Sequence, residues 1–282
     1  MSIHHISDTS RWMAYVRALE SERPDALFRD AFASRLAGEA GEAIAREIGD
    51  VEFIAQSIAV RTAVMDELIL ETVSRNEVDL VLNLAAGLDT RPWRLTLPSG
   101  LQWVDVDLPH VLEFKASVIG RERATCEYES LPANIIDKEA RAGVLQHCSG
   151  ARRALIVTEG FLVYLSPTQV STLAGDLHAQ PSMRWWLTDL TGPRALDMLQ
   201  RVWGPRFKGV RFQFAPADSA DFFRRLNWRE VLFRSSQEED KRLKRAPRAS
   251  LLSRVVLWLS PASFREEMRR LSGIALLARD DA

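Results

Sequence analysis

The run Asp79-Leu-Val-Leu-Asn-Leu84, ended by Ala85-Ala86-Gly87, constrains this chain more than any other feature. A short, mostly apolar run with no alternating polar face suits a strand covered on both sides in a parallel sheet. The small residues after it let backbone approach a ligand, and Gly87 can take torsions closed to other residues. Comparable runs recur at 101–107 (LQWVDVD), near 125–130, at 154–160 (ALIVTEG), 183–190 (MRWWLTDL), 228–234 (WREVLFR) and 253–260 (SRVVLWLS), with helical segments between them. This alternation predicts an α/β fold: a doubly wound, seven-stranded, mostly parallel sheet with helices on both faces and right-handed crossovers. The last two strands are expected to be antiparallel and to close the sheet.

Upstream, residues 8–76 hold no convincing strand, and 1–76 is taken as one unit. Apolar residues recur there at helical spacing, as in Trp12, Tyr15, Val16 and Leu19 and again in Ile54, Ile58, Val64 and Leu68, while Pro24 and the Gly38/Gly41 pair punctuate the stretch. It reads as a helical cap of about three helices on an α/β core at 77–260. The stretch 191–227, with GPRFKGVRFQFAP, exceeds an ordinary connection and is expected to be a lid insertion over the site. The end, 261–282, reads as an amphipathic helical tail able to dock on the sheet or on a second subunit, which makes a homodimer one expectation. One domain accommodates all 282 residues. The basic KRLKRAPR at 241–248 reads as a solvated loop, because no aromatic residues interleave with it.

Lys+Arg at 37 against Asp+Glu at 38 gives a formal charge of −1, so no global field draws in nucleic acid. Cys126 and Cys148 lack the C-x-x-C spacing of a zinc or redox site and read as free thiols in a reducing compartment, with no metal expected. The N-terminus MSIHHISDTSRW has no basic segment followed by an apolar core, and no later run approaches the ~18 apolar residues of a membrane span. The expectation is a cytoplasmic protein without a membrane partner.

Ligands of such sheets bind beyond the carboxyl ends of the strands. That directs attention to the turn Asn83-Leu84-Ala85-Ala86-Gly87-Leu88-Asp89-Thr90-Arg91, and to Asp107 at the end of the second strand. A carboxylate there can accept hydrogen bonds from both hydroxyls of a ribose, so the pair points to an adenosine-type cofactor, although such pairs also arise for structural reasons alone. A nicotinamide dinucleotide is the competing ligand. Its G-x-G-x-x-G fingerprint is replaced by Ala85-x-Gly87-x-x-Thr90, which disfavours a pyrophosphate cradle and leaves a cofactor without phosphates.

The strings LNLAAGLDTRPWRL, WVDVDLPHVLEFK and ALIVTEGFLVYLSP, with VRALESERPDALFRDAFASRLAG and AVRT upstream, resemble the leucine carboxyl methyltransferase family, including its bacterial polyketide-type O-methyltransferase branch. The resemblance covers most of residues 10–190. It implies S-adenosyl-L-methionine as cofactor and a Rossmann-like methyltransferase fold. On the matching positions it implies that Arg61 pairs with the cofactor's carboxylate, which a guanidinium suits by offering two parallel donors. Gly87 corresponds to the glycine of the cofactor turn and Asp107 to the ribose-binding acid. Asp105 shares a strand face with Asp107 and either assists it or caps the strand. Asn134 and Ile135 stand where the family has an acid and a leucine beside adenine, and an asparagine amide can still serve an adenine edge. Glu159 matches a glutamate lining the cofactor pocket, and Tyr164 either borders the substrate or packs in the core. Ala85 stands where the family has glycine, and the expected effect on binding is modest unless the backbone there has positive φ.

Methyl transfer to oxygen is an in-line displacement, so alignment and exclusion of water are the protein's main tasks. An ionised carboxylate needs no base. A phenol or enol would, yet His110, His147 and His178 sit in no motif, so no catalytic base is assigned. The expected function is O-methylation of a small-molecule carboxylate or hydroxyl of polyketide-like character. The aromatic residues Trp185, Trp186, Trp203, Phe207, Phe212 and Phe214 suit a flat apolar acceptor or ordinary core packing. The alternatives are a non-catalytic protein of the same fold and, less favoured, a nicotinamide-dependent oxidoreductase.

Overall fold

Leu80–Leu84 forms β1, and every residue of it is buried, as a strand covered on two faces requires. The structure, a computed structural model, describes residues 8–48, 51–204, 211–246 and 260–281. Around β1 lie β2 (Gln102–Asp107), β3 (Glu127–Pro132), β4 (Ala154–Thr158), β5 (Met183–Thr191), β6 (Trp228–Ser235) and β7 (Ser272–Arg279), in the order β3-β2-β1-β4-β5-β7-β6. β1 pairs in parallel with both β2 and β4, so Leu84 stands level with Val106 and Thr158 at one edge of the sheet. The carboxyl ends of three strands are thereby brought together.

Side-chain alternation divides the core. Leu80, Leu82 and Leu84 pack toward α6 (Lys138–His147) and α7 (Pro167–His178), through Val144, Leu145, Val170 and Leu173. On the opposite face Val81, Leu155 and Val157 meet Val60, Val64, Leu68 and Ile69 of α3 (Val51–Arg75). N-terminal to β1 lie α1 (Asp8–Glu22), α2 (Ala33–Ile48), which breaks at Gly38 where φ is +55°, and α3; these are the cap helices. Within the 191–227 stretch, α8 (Pro193–Trp203) and α9 (Ser219–Arg224) flank a segment whose middle lies outside the described residues. Among the described residues, no helix is long and apolar enough to cross a membrane.

Three expectations need correction. The strand expected at 253–260 lies outside the described residues except for Ser260, and the seventh described strand is instead Ser272–Arg279. The C-terminal tail is therefore helical only at Ala262–Arg269 before it enters the sheet. There Ile274, Ala275 and Leu277 are fully covered between β5 and β6, a burial that an apolar segment gains only inside a sheet. Second, β7 alone is antiparallel; being antiparallel to both β5 and β6, it leaves β6 aligned with the other strands. Third, the basic run is not a wholly solvated loop: Arg245 is buried and pairs with Glu20 at 2.9 Å and Asp25 at 2.8 Å, because Glu20 is itself buried and needs a counter-charge.

Candidate cofactor and acceptor site

The turn after β1 folds back on the end of β2. The Gly87 N–H donates to Asp107 Oδ2 at 2.6 Å and the Leu108 N–H to Asp107 Oδ1 at 2.7 Å, so one carboxylate organises both loop starts. Burial pushes the Asp107 carboxyl above the ordinary aspartate range, against the pull of those two N–H groups. Gly87 has φ of +53°, in the left-handed region that glycine enters freely. Ala85 has φ of +54°, so the condition for more than a modest effect is met: its methyl group is borne in a strained backbone conformation.

Beyond these ends lies a cavity of about 880 Å³, near the top of the range of roughly 300–1,000 Å³ usual for ligand pockets. Arg61 reaches it from α3. Its Nε donates to Glu159 Oε1 and its Nη1 to Asp189 Oδ2, both at 3.0 Å. Asp189, on β5, also accepts the Gly160 N–H at 2.7 Å, which fixes the loop after β4 against β5. Gly160 has φ of +62°, the left-handed region, so backbone torsion favours glycine there; a Cβ would make only an ordinary contact with the Arg61 guanidinium, at 3.5 Å. Beneath, the buried Arg91 guanidinium lies 2.7 Å from each of Asp66, Asp89 and Glu159, and Arg94 also pairs with Asp66. Burial favours neutral Glu159, but Arg91 and Arg61 outweigh it and hold the carboxyl below its usual range. Asp89 is likewise depressed despite burial, by Arg91, Lys115 and Arg94. The floor is thus a set of ionised, mutually paired groups.

Arg61, Ala85, Gly87, Asp107, Asn134, Ile135, Glu159 and Tyr164 all line this cavity. Asn134 Oδ1 accepts the Ile136 N–H at 3.2 Å, and Ile135 is buried beside it. Burial pushes the Tyr164 hydroxyl up to about 12, and its ring packs on Phe212 with centroids 5.4 Å apart. Asp105 is not brought to the site. It is fully buried and accepts from Asn83, Trp103, Tyr128 and Lys115, so its part is structural. His110, His147 and His178 do not line the cavity; His147 pairs with Glu129 and His178 packs edge-on to Trp228. The sequence does not single out Asp189, although it stands one residue past the last β4–β5 pair, Thr158 with Thr188, as Glu159 does, and the strand-end rule applies to it equally. Thr9, Trp12 and Met13 of α1 and Met198 and Leu199 of α8 also line the cavity without a motif to mark them.

Strand order, the turn after β1 and the acid closing β2 together define the Rossmann-like methyltransferase fold. Two solved structures share it across nearly the whole chain, each with a TM-score of 0.63: a DUF574 family protein from Streptomyces avermitilis (11% identical, covering 99% of this chain and 98% of that one) and a candidate methyltransferase from Thermobifida fusca (15% identical, covering 99% and 96%). The chain belongs to the leucine carboxyl methyltransferase family, whose model matches residues 10–178. A Streptomyces coelicolor protein is 37% identical over 187 residues, covering 61% of this chain and 64% of that one. A Saccharopolyspora erythraea protein is 31% identical over 244 residues, covering 78% and 82%. Both are named as candidate S-adenosyl-L-methionine-dependent methyltransferases. The match spans just under two thirds of the length of the Streptomyces coelicolor relative.

Proposed function

We propose that the protein is an S-adenosyl-L-methionine-dependent O-methyltransferase acting on a small-molecule acceptor, with a carboxylate favoured over a hydroxyl. The observation that carries this reading is that Arg61, Gly87 and Asp107, from three separate elements, line one cavity at the strand ends. The residues fit the cofactor: Arg61 offers a guanidinium to an amino-acid carboxylate, Asp107 an acceptor pair to a ribose, and Ile135 with Asn134 an apolar face and an amide to a purine. When bound, the cofactor supplies an electrophilic methyl group on sulfur. This chain's residues would hold acceptor and donor in line and exclude water. Cap helices α1 and α3 and helix α8 close around the cavity to do so.

The preference for a carboxylate follows from proton chemistry. Among the described residues, no histidine lines the cavity; Glu159 and Asp89 are held as ionised, arginine-paired groups of low basicity, and Asp107, though raised, already accepts the Gly87 and Leu108 N–H groups. An acceptor that is already an anion needs no base. Calorimetric titration with S-adenosylhomocysteine and with NAD tests the cofactor assignment. Binding of the first alone, weakened at least tenfold in both Arg61→Ala and Asp107→Ala, is the expected result. Binding of NAD alone would return the oxidoreductase reading, and binding of neither would favour a non-catalytic relative. A cytoplasmic site of action remains part of the proposal.

A further inference from the structure

We propose that the acceptor is a small monocarboxylic acid with an apolar, uncharged body lying between α8 and the α1–α3 pair; this rests on the methyltransferase reading and specifies its substrate. The cavity has two chemically different ends. Charge gathers at the strand ends, around Arg61, Asp107, Glu159 and Asp189. The apolar part is walled by Trp12 of α1, Ile58 of α3 and Phe212, and Met13 Sδ, 3.7 Å from Arg61 Nη2, lies where it meets the charged part.

Helix α8 supplies the remaining wall with Ala195, Met198, Leu199 and Val202. Their spacing of i, i+3, i+4 and i+7 is one helix face, and it contributes no charge to the cavity. Met198 is nonetheless 52% exposed and Val202 47%, two large apolar side chains at the rim of a cavity rather than inside a core. An apolar ligand body would cover them, and the hydrophobic effect would then favour binding in proportion to its apolar area. The amides beside this wall are committed internally: Gln200 Nε2 donates to Phe212 O and Gln213 Nε2 to Tyr164 O, each at 2.8 Å, while the Val163 carbonyl accepts the Gln213 N–H at 2.7 Å. A peptide backbone would find few partners there; a hydrocarbon or aromatic body needs none. The cavity volume of about 880 Å³ leaves room for such a body beside a nucleoside cofactor.

The test is calorimetric titration of the full chain with hexanoate, octanoate and decanoate, with and without saturating S-adenosylhomocysteine, against sebacate and a leucine-terminated tetrapeptide. Affinity should rise about fourfold for each added methylene that is buried. Sebacate should bind at least tenfold more weakly than decanoate. Met198→Glu and Val202→Glu, substitutions at half-exposed positions, should each remove the length dependence and leave S-adenosylhomocysteine affinity unchanged. Equal binding of decanoate and sebacate, undiminished decanoate binding in both variants, or a preference for the tetrapeptide overturns the assignment. If S-adenosylhomocysteine fails to bind, the methyltransferase reading falls while the acid series still reports on the wall. If it binds and the acids show no length dependence, only the substrate assignment falls.

Discussion

At Ala85 the backbone turns through φ of +54° without the freedom that glycine would bring. A non-glycine residue in that region costs roughly 1–2 kcal/mol, and the extra unfolded-state entropy of glycine offsets about 0.4–1 kcal/mol of any relief. Ala85→Gly should therefore stabilise the protein slightly, raising the thermal midpoint by about 1–3 °C, with S-adenosylhomocysteine affinity equal or better. A lower midpoint would show that the methyl group packs usefully against the core it borders. Asp107 makes a second prediction, through pH. Its folded pKa lies above the ordinary 3.8, so it takes up a proton at a pH where most aspartates are still ionised, and with that it loses acceptor capacity for a ribose. Cofactor-analogue affinity should thus decline on acidification from a pH above 3.8. The stability effects run oppositely. A raised folded value means that the native state binds the proton more readily than the unfolded chain, so Asp107 itself does not destabilise the fold there. Glu159 and Asp89, with depressed values, contribute stability fully above their unfolded values and lose it only as pH falls through their folded ones. Titrating affinity by calorimetry and stability by thermal melts across pH 3.5–7 should show binding failing first; coincident loss would refute the separation.

Among the elements, β7 shows where sequence patterns stop being informative. Strands β1, β2, β4 and β5 are legible because each is rich in apolar, β-branched or aromatic residues and is bounded by turn or helical segments. β7 was not, since SGIALLAR follows the charged helical stretch FREEMRRL and a more strongly apolar run, SRVVLWLS, competed for the same role. A short apolar run is identified as strand by its neighbours, and those lie far away in the chain. The site divides in the same way. Arg61, Gly87 and Asp107 could be matched to motifs, whereas the carboxylates that hold Arg61 are 98 and 128 residues away and meet it only through the fold. β7 also carries a steric prediction. A Cβ on Gly273 would stand 2.4 Å from Phe233 Cζ and 2.5 Å from the Arg234 carbonyl oxygen, and the second of these belongs to a paired strand that cannot move aside. Gly273→Ala should cost about 1–3 kcal/mol in chemical denaturation; an unchanged midpoint would place the β6–β7 pairing in doubt. Arg245→Ala should cost about 1.5–3 kcal/mol by leaving buried Glu20 with the Leu27 N–H and the half-exposed Arg23, 3.6 Å away, while Lys241→Ala on the same basic run should change stability by less than about 0.5 kcal/mol.

In the whole molecule, the cap is joined to the sheet by directed charge as well as by apolar contact. Arg61 and Asp66 of α3 reach Glu159, Asp189, Arg91 and Arg94, while Arg17 of α1 donates to Asp30 and to the Leu88 carbonyl in the turn after β1. The cavity's floor is therefore sheet and its walls are cap, so a ligand that touches Arg61 and Asp107 together bridges the two. Binding only to the folded form stabilises by about 2.7 kcal/mol at a ligand concentration of 100 times Kd. That gain should be spent unevenly, because local openings of cap and turn require far less energy than global unfolding. Saturating S-adenosylhomocysteine should slow hydrogen exchange most in α1, in residues 55–75 of α3 and in the turn 85–89, and least in the edge strands β3 and β6. In Arg61→Met the turn should keep its protection while α3 loses most of its own, since the methionine fills similar space but cannot grip a carboxylate. Protection confined to the strand ends in the unmutated protein would mean that the cap is fixed independently of the ligand and that Arg61 serves only Glu159 and Asp189.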